Sequence, residues 1–131
     1  MRTFLIALVI LLLPVLAPAA EMPVANGYAS WYGEELRGRL MANGEAFDPD
    51  NLTAASWFYP LGATVRVTLR SAPDSLHAGE EERSVLVTIT DRGPAKRLVR
   101  AGRVIDLGRA AFEKLAPPKR GLIPVSIRAV P

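Results

Sequence analysis

The sequence predicts an all-β domain closed into a small barrel, with one or two short helices. Three observations carry this. Several short segments alternate apolar and polar residues with a period of two. Glycine, proline and asparagine punctuate the chain between them. One stretch alone has the spacing of a helix, so a closed barrel suits the pattern better than a layered α/β fold.

The chain of 131 residues suits one domain. Met1-Arg2, the apolar run Phe4 to Leu13, Pro14 and the small-residue site Ala17-Pro18-Ala19-Ala20 have the form of an export signal. The run is short for a spanning helix. Residues 1–20 are therefore expected to be removed, leaving residues 21–131 as a single secreted or periplasmic domain with no stable membrane anchor. Cysteine is absent, which excludes disulfides, thiol catalysis, thiolate metal sites and a lipid-modified N-terminal cysteine. With one histidine and no phosphate-loop or metal motif, neither a metal nor a cofactor is expected. The net charge of +3 favours an anionic partner weakly. Export argues against nucleic acid and leaves wall polymers.

Along the expected mature chain, Glu21 to Asn26 has no periodicity and reads as a leader. Tyr28 to Tyr32 is aromatic-rich, lies between Gly27 and Gly33, and reads as a strand; Trp31 faces away from Ser30 and Tyr32. Glu34 to Asp50 is loop and turn, and Leu52 to Ala55 is a short strand. Thr64 to Arg70 turns Val65, Val67 and Leu69 one way; Ser84 to Thr90 does the same with Val85, Val87 and Ile89. The polar stretch Ser71 to Arg83, with His77 and Glu80-Glu81-Glu82, joins them as a solvated loop. Val104-Ile105 and Val125 to Ala129 are the last strands. Leu107, Ala111 and Leu115 give a helix with Asp106 at its N-cap position and Pro117-Pro118 ending it.

The residues that could carry chemistry are carboxylates at strand ends: Glu45 in Ala42-Asn43-Gly44-Glu45, Asp91 in Asp91-Arg92-Gly93-Pro94, and Asp106. Such groups can flank a glycosidic bond, one donating a proton and another steadying an oxocarbenium-like transition state. Each also has a plainer explanation. Asp91 starts a turn, Glu45 sits on an exposed loop, and Asp106 caps a helix. Arg92 could pair with Asp106, bridge its own turn, or bind a substrate carboxylate. Lys96, Arg97, Arg100 and Arg103 form a basic stretch, more simply a solvated face than a binding site. The aromatic groups around Trp31 and Trp57 are core or rim fillers, with Tyr32 and Trp57 the candidates for stacking on sugar.

A set of short motifs resembles the rare lipoprotein A (RlpA) family of lytic transglycosylases. They are Ala29-Ser30-Trp31-Tyr32-Gly33, Ala42-Asn43-Gly44-Glu45, Thr53-Ala54-Ala55, Pro60-Leu61-Gly62, Val65-Arg66-Val67, Thr90-Asp91-Arg92-Gly93-Pro94 and Arg103-Val104-Ile105-Asp106-Leu107 with Arg109-Ala110-Ala111, in family order. The resemblance implies a six-stranded double-psi β-barrel. It also implies cleavage of the β-1,4 bond between N-acetylmuramic acid and N-acetylglucosamine in peptidoglycan strands, leaving 1,6-anhydromuramyl ends. It puts the catalytic carboxylates at Asp91 and Glu45, with Asp106 at the position of the catalytic aspartate of more distant barrels of this type. Beside these, the residues themselves offer Ser56 and Arg92 as candidates for support and Tyr32, Trp57 and Asn43 for contact with glycan. The family's histidine after Thr-Ala-Ala is Ser56 here. That departure keeps open a non-catalytic, expansin-like wall-binding barrel, or an accessory to a division or wall-synthesis partner.

Overall fold

A computed structural model describes residues 24–70 and 82–131. The expected export signal at residues 1–20 and most of the loop around His77 lie outside the described residues. Six strands close into a barrel: β1 (Ala25–Tyr32), β2 (Thr53–Ala55), β3 (Thr64–Leu69), β4 (Ser84–Asp91), β5 (Arg103–Gly108) and β6 (Ile123–Ala129), in the spatial order β1-β5-β2-β4-β3-β6. The β1–β5 and β2–β4 pairs are parallel and the others antiparallel. Parallel neighbours need long crossovers. Hence β3 and β4 alone are neighbours both in the chain and in the barrel. Two short helices, α1 (Lys96–Arg100) and α2 (Arg109–Glu113), pack outside.

The alternating segments turn their apolar sides inward as the pattern requires. Val65, Val67, Val87, Ile89, Val125 and Ile127 are all buried, and Phe112 and Leu115 join them from α2 and the turn after it. Burying each such side chain is worth roughly 1.5–3 kcal/mol, which stabilises a domain this small without disulfides. Tyr59 is also interior, its hydroxyl donating to the Ile127 carbonyl at 3.2 Å. Gly62 takes φ +87° in the turn before β3, a value that side chains with a Cβ rarely adopt.

The structure departs from expectation in two places. Ala25 and Asn26, read as leader, belong to β1, because they pair with Ile127 and Ser126 of β6, a partner that local pattern cannot show. Asp106 does not cap a helix. Strand β5 runs on through Leu107 to Gly108, and α2 starts at Arg109 with Gly108 at its N-cap and no side-chain cap. Leu107 is fully buried on the strand. The basic stretch from Lys96 coils into α1, with Lys96, Arg97 and Arg100 exposed.

Candidate active site

The barrel order sets β5, β2 and β4 side by side, and the register does the rest. Ala55 pairs with Asp106 on one side and with Asp91 on the other. Strands lie about 4.8 Å apart, so the two aspartate backbones flank the Ala55 methyl at a separation of roughly 10 Å. The β2–β4 register jumps between Ala54 and Ala55, from Ile89 to Asp91, leaving Thr90 as an extra residue. Bulges of this kind re-aim side chains. Thr90 is buried, and Asp91 turns to the groove.

The groove has a volume of ≈ 340 Å³, and Ala55, Asp91, Asp106, Tyr32, Arg92 and Arg39 line it. Leu36 and Leu40 complete one wall. That wall is tied down from behind by ion pairs. Arg37 contacts Glu34 at 2.6 Å, Asp50 at 3.0 Å and Asp48 at 3.2 Å, and Arg109 on α2 reaches Glu34, Asp50 and Glu113. The Arg37 fork holds the Glu34 carboxyl down at about 2.

Asp91 Oδ1 accepts the Ala42 N–H at 2.9 Å and the Arg92 N–H at 2.8 Å. The first of these, with the Asn43 N–H donating to the Thr90 carbonyl at 3.1 Å, clamps the Ala42–Glu45 hairpin to the end of β4. Asp106 Oδ1 accepts the Ser30 hydroxyl from β1. Its Oδ2 lies against Gly93, where an added Cβ would sit 3.5 Å away and would also crowd Ala55. Gly93 is thus a close-packing position rather than only a turn residue. Burial pushes the Asp106 carboxyl above the ordinary range, opposed by the Ser30 hydrogen bond and the Arg103 charge.

The remaining sequence candidates fall as follows. Glu45 is exposed on the hairpin, its N–H held by Asn43 Oδ1 at 2.9 Å and its carboxylate by Asn43 Nδ2 at 3.2 Å. Neither Glu45 nor Asn43 lines the groove itself. Ser56 is fully buried; its hydroxyl donates to the Val104 carbonyl and accepts the Phe58 N–H, both at 3.2 Å. Its hydrogen bonds therefore go to backbone and not to the groove. Arg92 makes no ion pair with Asp106; its Nη1 donates to the carbonyls of Ser56 (2.9 Å) and Tyr59 (2.6 Å), tethering that loop. Trp57 is half exposed outside the groove lining, with its indole N–H on the Pro94 carbonyl and Lys96 Nζ 5.3 Å over its ring. Tyr32 does line the groove, with its ring 4.4 Å from that of Phe47. Among the described residues no acidic or histidine cluster is arranged to hold a metal ion.

Three contributors were not picked out by sequence reasoning. Ser30 had one available signal, its alternation with Tyr32 on the face opposite Trp31. Ala55 and Arg39 had none, since the register that brings them to the groove is long-range.

The family described as lytic transglycolase matches residues 24–127. Endolytic peptidoglycan transglycosylase RlpA of Yersinia pestis is 46% identical over 89 residues, 68% of this chain and 21% of that protein. An uncharacterized protein of Synechocystis, ssl3177, is 38% identical over 99 residues, 76% of this chain and 91% of its own length. Among solved structures, Streptomyces papain inhibitor superposes with a TM-score of 0.59 at 24% identity, covering 86% of this chain and 98% of that one, a likeness of fold. The chain spans only about a fifth of the length of the Yersinia transglycosylase.

Proposed function

The chain belongs to the lytic transglycolase family, the double-psi β-barrels that include RlpA, and from that premise we propose that it is an exported lyase that cuts peptidoglycan glycan strands. The bond broken is the β-1,4 link between N-acetylmuramic acid and N-acetylglucosamine, and the product carries a 1,6-anhydromuramyl end. One observation supports this above the rest: two carboxyl groups in unlike surroundings share one groove across Ala55.

Such a lyase needs one carboxyl that still carries a proton and one that can take a proton. Asp106, whose neutral form burial favours, suits the first role. It protonates the glycosidic oxygen as the bond from C1 breaks. Asp91 lines the groove, with Oδ1 engaged by two N–H groups, so its carboxylate is the one to take a proton. It steadies the positive charge at C1 and takes the proton of the C6 hydroxyl as that oxygen closes on C1. The sugar's own hydroxyl replaces water, so no co-reactant is consumed. Glu45 and Asn43, on the hairpin clamped to Asp91, stand at the rim for contact with the glycan. Trp57, also outside the groove, offers a second flat contact.

The test is a digest of purified sacculi and of glycan strands stripped of peptide. Release of anhydromuramyl products by the wild type, lost in Asp91→Asn and Asp106→Asn, is the expected result. Retention on sacculi without products would instead favour a wall-binding barrel, a reading to which the backbone-bound hydroxyl of Ser56, standing where the family has histidine, lends support.

A further inference from the structure

The Tyr32 side chain poses a physical problem. Its hydroxyl is buried and has no hydrogen-bond partner among the described residues. Burying an unpaired hydroxyl is costly, and phenylalanine would fill the same space without that penalty. The ring itself is well placed for packing alone, since it lies against Phe47, which is almost wholly buried. That contact removes one ring face from any stacking on sugar, so the expectation of a stacking platform does not explain the hydroxyl.

What surrounds the hydroxyl does explain it. Tyr32 ends β1, and the register pairs Ser30 with Asp106 and Tyr32 with Gly108. Ser30 and Tyr32 thus share a face of β1, and both look toward the groove acids. Burial first, then the negative charges of Asp91 and Asp106, hold the phenol well above its ordinary range. It stays protonated across any working pH and always keeps an O–H to donate. The other charged groups facing this space are Arg92 beside Asp91, Arg39 in the groove lining and Arg103 along β5, whose charge acts on Asp106. Glu45 lies on the hairpin next to Asp91.

We infer that Tyr32 is a positioning residue whose O–H is held in reserve for the Asp91–Asp106 pair, donating to the ionised carboxyl when glycan fills the groove. This rests on the reading of those two acids given above. Hydrogen bonds of this kind are commonly long in an empty site and tighten around substrate. A donor to the charged form favours ionisation of that carboxyl and leaves the proton on its neighbour. The phenol thereby keeps the two acids in opposite states at the start of each cycle.

The variant that tests this is Tyr32→Phe, which preserves the ring contact with Phe47. The expected result is a melting temperature at or above that of the wild type, a fall in kcat of about tenfold or more with KM within about twofold, and an acid limb of the pH–rate profile moved to higher pH. The sign follows from losing a donor to a carboxylate, which raises that carboxyl's pKa. A second measurement needs no turnover: carbon-13 NMR titration of the aspartate carboxyls in both proteins, each saturated with a peptide-free glycan fragment too short to be cut. The midpoint of Asp91 or Asp106 should rise by about half a unit or more in Tyr32→Phe. Identical titration curves would overturn the inference whether or not the protein cuts glycan. Shifted curves in a protein that releases no anhydro product would sustain it while sinking the lyase reading.

Discussion

Replacing Asp91 separates two duties that the structure loads on one carboxylate. Its Oδ1 anchors the Ala42 and Arg92 N–H groups, and its charge serves the groove. Alanine deletes both functions, whereas asparagine keeps an oxygen acceptor and removes only the charge and the proton. Hydrogen bonds to a charged acceptor are worth about 1.5–3 kcal/mol each when buried. Ala42 is exposed, and water can satisfy its N–H once the carboxylate is gone. A realistic loss for Asp91→Ala is therefore about 1–2 kcal/mol. At about 4–8 °C per kcal/mol for a domain near 100 residues, the melting temperature falls by roughly 5–15 °C. Asp91→Asn should melt within about 3 °C of the wild type. Both variants should lose anhydro-product release by a factor of about 10²–10⁴, the usual worth of a positioned acid or base. Calorimetry and chromatographic quantitation of the digest read the two effects independently. An Asp91→Asn protein with more than a tenth of wild-type turnover refutes the chemical duty, and an Asp91→Ala protein that melts like the wild type refutes the anchoring one.

Three further outcomes follow from the same contacts. Asp106→Asn should be inactive yet melt higher than the wild type at neutral pH. An unfolded aspartate ionises near 3.8, and burial raises the folded value, so stability falls as pH climbs through that window and stays lower above it. Asparagine removes this penalty and keeps an acceptor for Ser30, and a lower melting point at neutral pH would contradict the account. In acid, the Arg37–Glu34 pair gives the opposite slope: the carboxyl lies at about 2 instead of 4.5, so its contribution is complete above the ordinary value and fades as pH drops toward the lowered one. Thermal melts of Arg37→Gln across that interval should show a flatter pH dependence than the wild type, and the difference should shrink in high salt because the pair is exposed. Ser56→Ala should cost about 1–3 kcal/mol through the orphaned Phe58 N–H and Val104 carbonyl, with the product pattern unchanged; altered products with intact stability would instead assign Ser56 to the groove.

Strand alternation was legible because each of β3, β4 and β6 buries one face against the same core, and a period of two is a local property of the chain. The ends of β1 and β5 were not. Ala25 is strand only because Ile127 lies beside it, and Asp106 is strand only because Ser30 and Ala55 flank it. Read without those neighbours, Asp-Leu-Gly before Arg-Ala-Ala has the marks of a helix start. The site divides in the same way. Asp91 and Arg92 could be picked from a turn motif, but the serine that holds Asp106 sits 76 positions away. Arg92 illustrates the limit of charge logic: its neighbours in sequence suggested an ion pair, and it binds two carbonyls instead.

The order in which the strands lie has a consequence for how such a protein behaves before it is finished. The pieces of the cleft come from β1, β2, β4 and β5, and the sheet that aligns them closes only when β6 bridges β3 to β1. A nascent or truncated chain ending before Ile123 lacks that bridge, so the groove should form in a single step with the completed barrel. Groove and barrel closure are then one property of the fold.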